Sequence, residues 1–496
     1  MSFPSIAPRR HGAESTLGQP TGSPHRSTGI NAVRMVAIAM LSGAVLHGCA
    51  LTPEGTKHEQ AKLDEAGRPY EPAFEQRVLP ELPPSPSWRD VLSRAFLANG
   101  DLEASYFEWK AAVQRIEMAS AYPNSNVQVG YSYMFSSEKM KTFDRQTFAF
   151  GFDPAMNLSF PTKVQQKGKV ALDEARAAGE RFRTAKFELQ RRVLGQWADL
   201  RMLEAKHRVQ AEQVALNRLA IEAIRAKAQA GGVQRDLLRA EATLRTQENN
   251  LQNTQAELSA MRAMLNGTLA RDPSTAIDAS HDVPREITAT DGQILAGAVE
   301  LNPEIATLAR QAEGRSDALE LARMQWIPDI NPSFMFTGNV SQALGATVML
   351  PTTIAEIRGG IREAEAMLRA GDAMLRQTRS DRAATLVATL VALRNSERQA
   401  ALFETTLVPL ADRVLANTRQ SYAAGSAMYL DLLEAQGMVL DTKLMVIEAR
   451  ASRDKRLAEL EALMGTDIET LTASQASLAA HTDTTTTARE EARHDR

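Results

Sequence analysis

Four short stretches of the chain alternate apolar residues with small or polar ones, which is the pattern of a strand with one apolar face. Each stretch is about nine to eleven residues long, the span of a tilted strand that crosses a membrane. The alternating apolar residues are Val127, Val129, Tyr131, Tyr133; Phe148, Phe150, Phe152; Phe334, Phe336; and Leu344, Ala346, Val348, Leu350. The pattern predicts four strands in two hairpins.

Long helical stretches follow each pair of strands. We predict one long helix from Thr162 to about Ala230 and another from Thr352 to Ala424. Glycines then reverse the chain, and the returning helices carry apolar residues at alternating three- and four-residue steps, the mark of a coiled coil. In the first they are Leu237, Leu244, Leu251, Leu258 and Leu265, and in the second Leu430, Leu433, Gly437, Leu440, Leu444, Ile447 and Ala451.

The two halves of the chain are copies of one unit. Five short matches recur in the same order at offsets of 190 to 203 residues, among them Asp236-Leu-Leu with Asp431-Leu-Leu. Each copy is predicted to run helix, two strands, long helix, glycine turn, helix, and the opening helices span Ser87–Tyr122 and Asp291–Trp326. The predicted segments are a leader (1–48), a Pro-rich extended arm (49–86), repeat 1 (87–270), a linker (271–290), repeat 2 (291–467) and a disordered tail (468–496).

The amino terminus predicts export from the cytoplasm. Basic residues precede twelve largely apolar residues, 35–46, and Leu46-His47-Gly48-Cys49 follows. This order is typical of a secretory signal, and it resembles the lipobox of bacterial lipoproteins, in which Cys49 becomes the lipidated first residue. The alternative is a plain signal peptide with an ordinary buried cysteine. Seven prolines in 49–86 favour an extended arm.

Composition excludes several classes of protein. The single cysteine excludes a disulfide scaffold and a cysteine-based zinc site, and a net charge of −3 is no footprint for nucleic acid. Aromatic residues make up 5% of the chain, too few for a bulky globular core, and no run of eighteen apolar residues predicts a membrane helix. The eight histidines include no pair at metal-ligand spacing, and no nucleophile or phosphate-binding motif occurs. We therefore predict no enzyme, no cofactor and no metal site.

The predicted strands need partners from other chains. Single-chain outer-membrane barrels begin at eight strands, and open strand edges in lipid leave backbone groups without hydrogen bonds. Three chains would supply twelve strands and twelve long helical segments around one axis. The prediction is a duct that crosses the membrane and continues as a helical tube; a soluble coiled-coil rod without a channel is the alternative.

The chain resembles the TolC-like outer-membrane efflux family over about residues 85–467. The resemblance depends on the repeat, the strand hairpins and the turn Tyr422-Ala-Ala-Gly-Ser-Ala-Met-Tyr-Leu-Asp-Leu-Leu-Glu-Ala-Gln436. With Cys49 it resembles the lipoprotein branch, which works with resistance-nodulation-division pumps. It implies a mixed but mainly helical fold: a homotrimer with a twelve-stranded outer-membrane β-barrel continuous with a periplasmic α-helical coiled-coil barrel. A periplasmic adaptor protein and an inner-membrane transporter are the implied partners.

The resemblance also assigns roles around the turns. It implies that Tyr422 takes part in closing the periplasmic tip, and that Asp431 and Glu434 form rings that narrow the entrance and attract cations. The turns at Gly231, Gly232 and Gly425 would contact the adaptor. A basic residue that completes the closing network in the family is replaced here by Ala427. The plain alternative for Asp431 and Glu434 is stabilisation of a helix start.

The substrate stays open at the level of sequence. Methionines near the strands would suit a soft metal ion, but flexible packing explains them as well. The first turn is weakly similar to the heavy-metal branch of the family. Export of drugs or metal ions is the favoured function, and type I protein secretion is the alternative.

Overall fold

The computed structural model describes residues 51–122, 127–135, 138–152, 159–229, 234–280, 285, 287, 289–337 and 341–469. These residues belong to one unit, Ala50–Arg496. The predicted leader and most of the predicted tail lie outside the described residues. Ile468, the first residue of that tail, is buried in the apolar cluster that includes Leu460 and Met464.

The described part of the chain is mainly helical, as predicted. The helices are α1 (Thr56–Gly67), α2 (Trp88–Ala98), α3 (Gly100–Ser120), α4 (Pro161–Gln229), α5 (Gln234–Thr268), α6 (Asp291–Leu301), α7 (Pro303–Arg323), α8 (Ile354–Leu402), α9 (Val408–Ala423) and α10 (Tyr429–Met464). The strands are β1 (Val127–Tyr133), β2 (Gln146–Phe152), β3 (Asp329–Thr337) and β4 (Ser341–Met349). At about 1.5 Å per residue, α4 alone is roughly 100 Å long.

The opening helix of each half is two helices, where the sequence predicted one. Both breaks occur at an asparagine whose side chain caps the second helix. Asn99 Oδ1 accepts a hydrogen bond from the Leu102 N–H at 3.1 Å, and Asn302 Oδ1 accepts one from the Ile305 N–H at 2.9 Å. Pro303 follows at the first helical position, where a missing N–H has no cost.

The second long helix is interrupted as well. A π-helical turn, Phe403–Leu407, separates α8 from α9, so the unbroken helix predicted from Thr352 to Ala424 is wrong. Pro409 lies just beyond that turn and has no N–H to donate, and its ring would clash with the carbonyl of Thr405 in a regular helix. A widened turn is the usual way for a helix to accommodate this.

The Pro-rich segment is not an extended arm throughout. It contains α1, because the stretch between Pro53 and Pro69 has no proline and its helix buries apolar surface. Leu63 is fully buried, and Glu59 Oε1 accepts a hydrogen bond from the Trp109 indole N–H at 3.0 Å. The segment packs on α3 and α4 through the same core cluster.

The four strands form one antiparallel sheet in the order β1-β2-β3-β4, so β2 of the first half pairs with β3 of the second. The strands have seven to nine residues, slightly fewer than predicted. The Thr147 and Thr337 hydroxyls meet at 3.1 Å across this junction. Below it, the Lys163 ammonium donates to Asp329 Oδ1 at 2.8 Å and ties α4 to β3.

The register collects the alternating apolar residues of both halves on one face of the sheet. One cross-strand row joins Val129, Phe150, Phe334 and Leu344, and the next joins Tyr131, Phe148 and Phe336. Directly opposite residues of antiparallel strands share a face, so these rows lie side by side. Val129 and Tyr131 are 71% and 59% exposed in the single chain. The described part of the chain therefore leaves Val129 and Tyr131 on this face uncovered.

The coiled-coil pattern predicted for α5 and α10 is largely present in the structure. All five predicted leucines of α5 are buried or half-buried. In α10, six of the seven predicted residues are buried or half-buried and Leu430 is exposed. A neighbouring stripe, which includes Tyr429, Leu432, Gln436, Val439 and Val446, is buried more fully. The helix carries two adjacent apolar stripes, and packing against its neighbours selects one of them.

A buried ion pair joins the linker to the last helix. The Arg285 guanidinium makes a bidentate contact with Glu461, whose side chain is 0% exposed, and it also covers the Trp88 ring at 4.4 Å. Gln190 of α4 donates to the same carboxylate at 3.3 Å. The linker, α2, α4 and α10 therefore meet at one charged centre.

Candidate functional site at the second helical turn

The turn between α9 and α10 is built by backbone hydrogen bonds. Gly425 has φ +78°. Among the described residues beyond its two chain neighbours, no atom lies within 4 Å of where its Cβ would be, so backbone conformation and not space requires glycine there. Its N–H donates to the Tyr422 carbonyl at 3.1 Å. The N–H groups of Ser426 and Ala427 both donate to the Ser421 carbonyl, at 2.9 and 3.2 Å. The predicted glycine turn is present at this position.

Asp431 lies in the first turn of α10. Its Oδ2 accepts a hydrogen bond from the Met428 N–H at 2.8 Å, which satisfies a backbone donor that the helix cannot. The carboxylate also lies at the positive end of the helix dipole. Helix stabilisation, the plain alternative from sequence, is therefore a contact that this residue makes.

Glu434 differs from Asp431 in that its carboxylate does not cap the helix. It is exposed, and it forms no hydrogen bond or ion pair within the described residues. Glu434 is three positions after Asp431, so the two carboxylates lie on the same side of α10. A second acidic residue beside the turn is thus available for contacts outside the chain.

Tyr422 and Tyr429 pack together across the turn, with ring centroids 6.1 Å apart at 58°. Tyr422 is half-buried, whereas Tyr429 is only 4% exposed. Burial, with smaller contributions from the nearby Tyr422 and Asp236, raises the pKa of Tyr429 to about 12. Tyr429 was not predicted as a site residue. The repeat contains a signal for it, because the two copies differ here: Gln234 stands two residues before Asp236, where Tyr429 stands two residues before Asp431.

An apolar cluster joins the two helical hairpins at this end. It contains buried residues from four helices: Ile221 and Ile224 of α4, Ala240 of α5, Ala411 and Leu415 of α9, and Tyr429, Leu432, Ala435 and Val439 of α10. We call this set the tip cluster. It means that the turn carrying Tyr422, Asp431 and Glu434 is held against the first hairpin.

The other predicted site residues cannot be placed. Cys49, Gly231 and Gly232 lie outside the described residues. Within those residues, no group of three or more His, Cys, Asp or Glu side chains is arranged to hold a metal ion. No helix in the same part of the chain is long and apolar enough to cross a membrane.

The fold is shared with outer-membrane channel proteins. The structure of VceC from Vibrio cholerae, an outer membrane protein, superposes with a TM-score of 0.63 at 16% identity, covering 77% of this chain and 96% of VceC. The Neisseria gonorrhoeae outer membrane channel MtrE gives a TM-score of 0.65 at 15% identity, covering 77% and 90% of the two chains. CusC, described in connection with transmembrane channel formation, gives 0.65 at 15% identity over 77% and 92%.

The sequence match is to one family. Residues 287–466 match the model of the family described as "Outer membrane efflux protein". Over these residues the match confirms the resemblance to outer-membrane efflux proteins that the sequence indicated. No protein of curated function matches the sequence.

Proposed function

We propose that this chain is the outer-membrane channel of a tripartite efflux system, a passive trimeric duct that exports small molecules such as drugs or metal ions. The observation that carries the proposal is the sheet register, which puts the apolar residues of all four strands on one face of a sheet continuous with helical hairpins. An exposed apolar sheet face suits a lipid environment. A soluble coiled-coil rod has no use for such a face.

The sheet also favours a closed assembly of several copies. β1 and β4 are its outer strands, and each would leave unpaired backbone groups if it faced lipid alone. Pairing β1 of one copy with β4 of the next removes both edges. Three copies would close a twelve-stranded β-barrel.

The helices carry apolar surface that suits the same assembly. Exposed apolar side chains recur along α8, namely Met367, Met374, Val387 and Val391. They flank exposed alanines that would let another helix approach closely. Contacts with α4 or α5 of a neighbouring copy would cover this stripe in a helical barrel.

The turn region is the proposed periplasmic entrance. Asp431 and Glu434 on one side of α10, repeated in three copies, would form two carboxylate rings that attract cations. Tyr422 would help to close the entrance. The turns at Gly231, Gly232 and Gly425 would contact a periplasmic adaptor, which connects the duct to a resistance-nodulation-division transporter in the inner membrane.

A lipid at Cys49 would anchor the chain in the outer membrane, with the helices extending into the periplasm. The support is the position of the only cysteine directly after the predicted signal segment. Mass spectrometry of the amino-terminal peptide should show diacylglycerol and a third acyl chain. Cys49→Ala should remove that mass.

The function is tested by imaging single particles of the full chain extracted from outer membranes in detergent. The expected result is a three-fold tube with a mass three times that of one chain. A two-stranded rod, or recovery only from the inner membrane, would instead support the structural coiled-coil lipoprotein. Co-purification with an adaptor and transporter would favour efflux, and dependence of protein export on the chain would favour type I secretion.

A further inference from the structure

Tyr429 has the largest buried side chain in the tip cluster. Its ring is 4% exposed and packs on Tyr422 within the second hairpin. It belongs to the same buried cluster as Ile221 and Ile224, which come from the first hairpin. Asp236, at the start of α5, is close enough to influence its pKa. Tyr429 therefore lies where the two hairpins meet.

The two repeats differ at this position. Asp236 and Asp431 are equivalent in the repeat, so the equivalent of Tyr429 is Gln234. Gln234 is exposed, whereas Tyr429 is buried. The first hairpin therefore has no aromatic residue at this position. It contributes apolar surface to the tip cluster, and the second hairpin contributes the Tyr429 ring that packs there.

Movement of the second hairpin away from the first would expose this ring. The backbone hydrogen bonds described above for the turn all lie within residues 421–427 of the second hairpin, so they do not oppose such a movement. The Asp431 carboxylate accepts its hydrogen bond from the Met428 N–H, within its own turn. Ala427 has no charged group that could form an ion pair. The tip cluster supplies contacts between the two hairpins at this end, and Tyr429 contributes its largest side chain.

We propose that the Tyr429 side chain is an aromatic pin that holds the second hairpin against the first and keeps the periplasmic entrance narrow. The proposal rests on the proposed channel function for its consequence, but the pin itself is a property of the single chain. Tyr429 is a positioning residue: its ring packing, and not its hydroxyl, sets the spacing of the hairpins.

Two measurements on the purified full chain test the pin. Hydrogen–deuterium exchange reads the packing directly: Tyr429→Ala should raise exchange at least tenfold in residues 215–229 and 234–245 of the first hairpin, as well as around the turn. Conductance in a planar lipid bilayer reads the consequence, and the same variant should increase open time about tenfold. Tyr429→Phe should behave like the unchanged chain in both measurements.

Control variants separate the pin from a folding defect. Leu430→Ala removes a neighbouring exposed side chain and should change neither measurement. Tyr429→Leu keeps apolar volume, and it should give an intermediate effect if the Ala variant unfolds. Exchange that stays unchanged in the first hairpin for both variants would overturn the pin, and a Phe variant as open as the Ala variant would overturn the role of the ring. Raised exchange with no conductance from any chain would confirm the pin and refute the channel.

Discussion

Asp431 has a structural role as a helix cap and a proposed role in attracting cations. Different substitutions can separate the two roles. Its carboxylate caps the start of α10 through the Met428 N–H. The proposed function also assigns it to a ring of carboxylates at the entrance. The hydrogen bond needs an acceptor, whereas attraction of cations needs a charge. An amide therefore keeps the first property and loses the second.

We predict that Asp431→Ala lowers the stability of the turn by about 1 kcal/mol, whereas Asp431→Asn costs much less, because only the amide still accepts from the Met428 N–H. Both variants should weaken cation selectivity. Thermal unfolding measures the first effect, and reversal potentials across a salt gradient measure the second. Glu434→Gln is the control that should change selectivity alone, since Glu434 has no partner in the described structure. Selectivity that survives all three substitutions would remove both residues from the entrance.

The Arg285–Glu461 pair gives a second prediction at this scale. Both groups are buried, so removing the Glu461 charge leaves the Arg285 guanidinium buried without the carboxylate that it contacts. Glu461→Gln should lower the free energy of unfolding by about 3–5 kcal/mol, measured by denaturant titration. The exposed pair Arg323–Glu365 is the control, and Glu365→Gln should cost at most about 1 kcal/mol. Equal costs for the two variants would contradict this account of burial.

At the scale of elements, the two asparagine caps explain why each opening helix is broken. Both side chains accept from a backbone N–H three residues later. Asn302 does more, since its Nδ2 donates to the Leu463 carbonyl at 2.6 Å and connects α7 to the end of α10. The second cap is therefore also a tertiary contact.

We expect Asn99→Ala to cost about 1 kcal/mol, the usual value for a lost cap. Asn302→Ala should cost about 1–3 kcal/mol more, because the Leu463 carbonyl loses its buried donor. Thermal unfolding of the two single variants measures the difference. Similar midpoints would mean that the bond to Leu463 adds nothing to the cap.

At the scale of the whole molecule, two buried tyrosines link stability to high pH. Burial raises the pKa of both Tyr70 and Tyr429 to about 12, from an ordinary value of 10. Tyr70 also donates to the Phe96 carbonyl at 2.9 Å, a bond that its phenolate cannot make. The folded chain thus holds these protons more tightly than the unfolded chain does.

The stability of the folded chain therefore falls as the pH rises through this range. The contribution of each tyrosine is fully present below pH 10, and it is lost as pH rises from about 10 to about 12, by about 1.4 kcal/mol per unit at most. Thermal unfolding followed by circular dichroism between pH 9 and 11.5 should show the fall. The double variant Tyr70→Phe, Tyr429→Phe should fall less steeply, and an identical slope would show that other groups are responsible.

The amino-acid sequence by itself determined the repeat, the kinds of element and their order. These properties depend on local pattern: alternation in the strands, the seven-residue spacing of leucines in α5, and Gly425 at a turn that needs positive φ. The signal for the helix breaks was local too, in Asn99, Asn302 and Pro409. The prediction of continuous helices did not take these three residues into account.

Tertiary structure alone decided the contacts between distant parts of the chain. These are the pairing of β2 with β3, the meeting of Arg285 with Glu461, the choice of the buried stripe in α10 and the burial of Tyr429. Each joins residues from separate elements, and the residues are compatible with more than one arrangement when taken alone. Packing selects among these arrangements because only the folded chain shows which apolar surface is covered and which charge finds its partner.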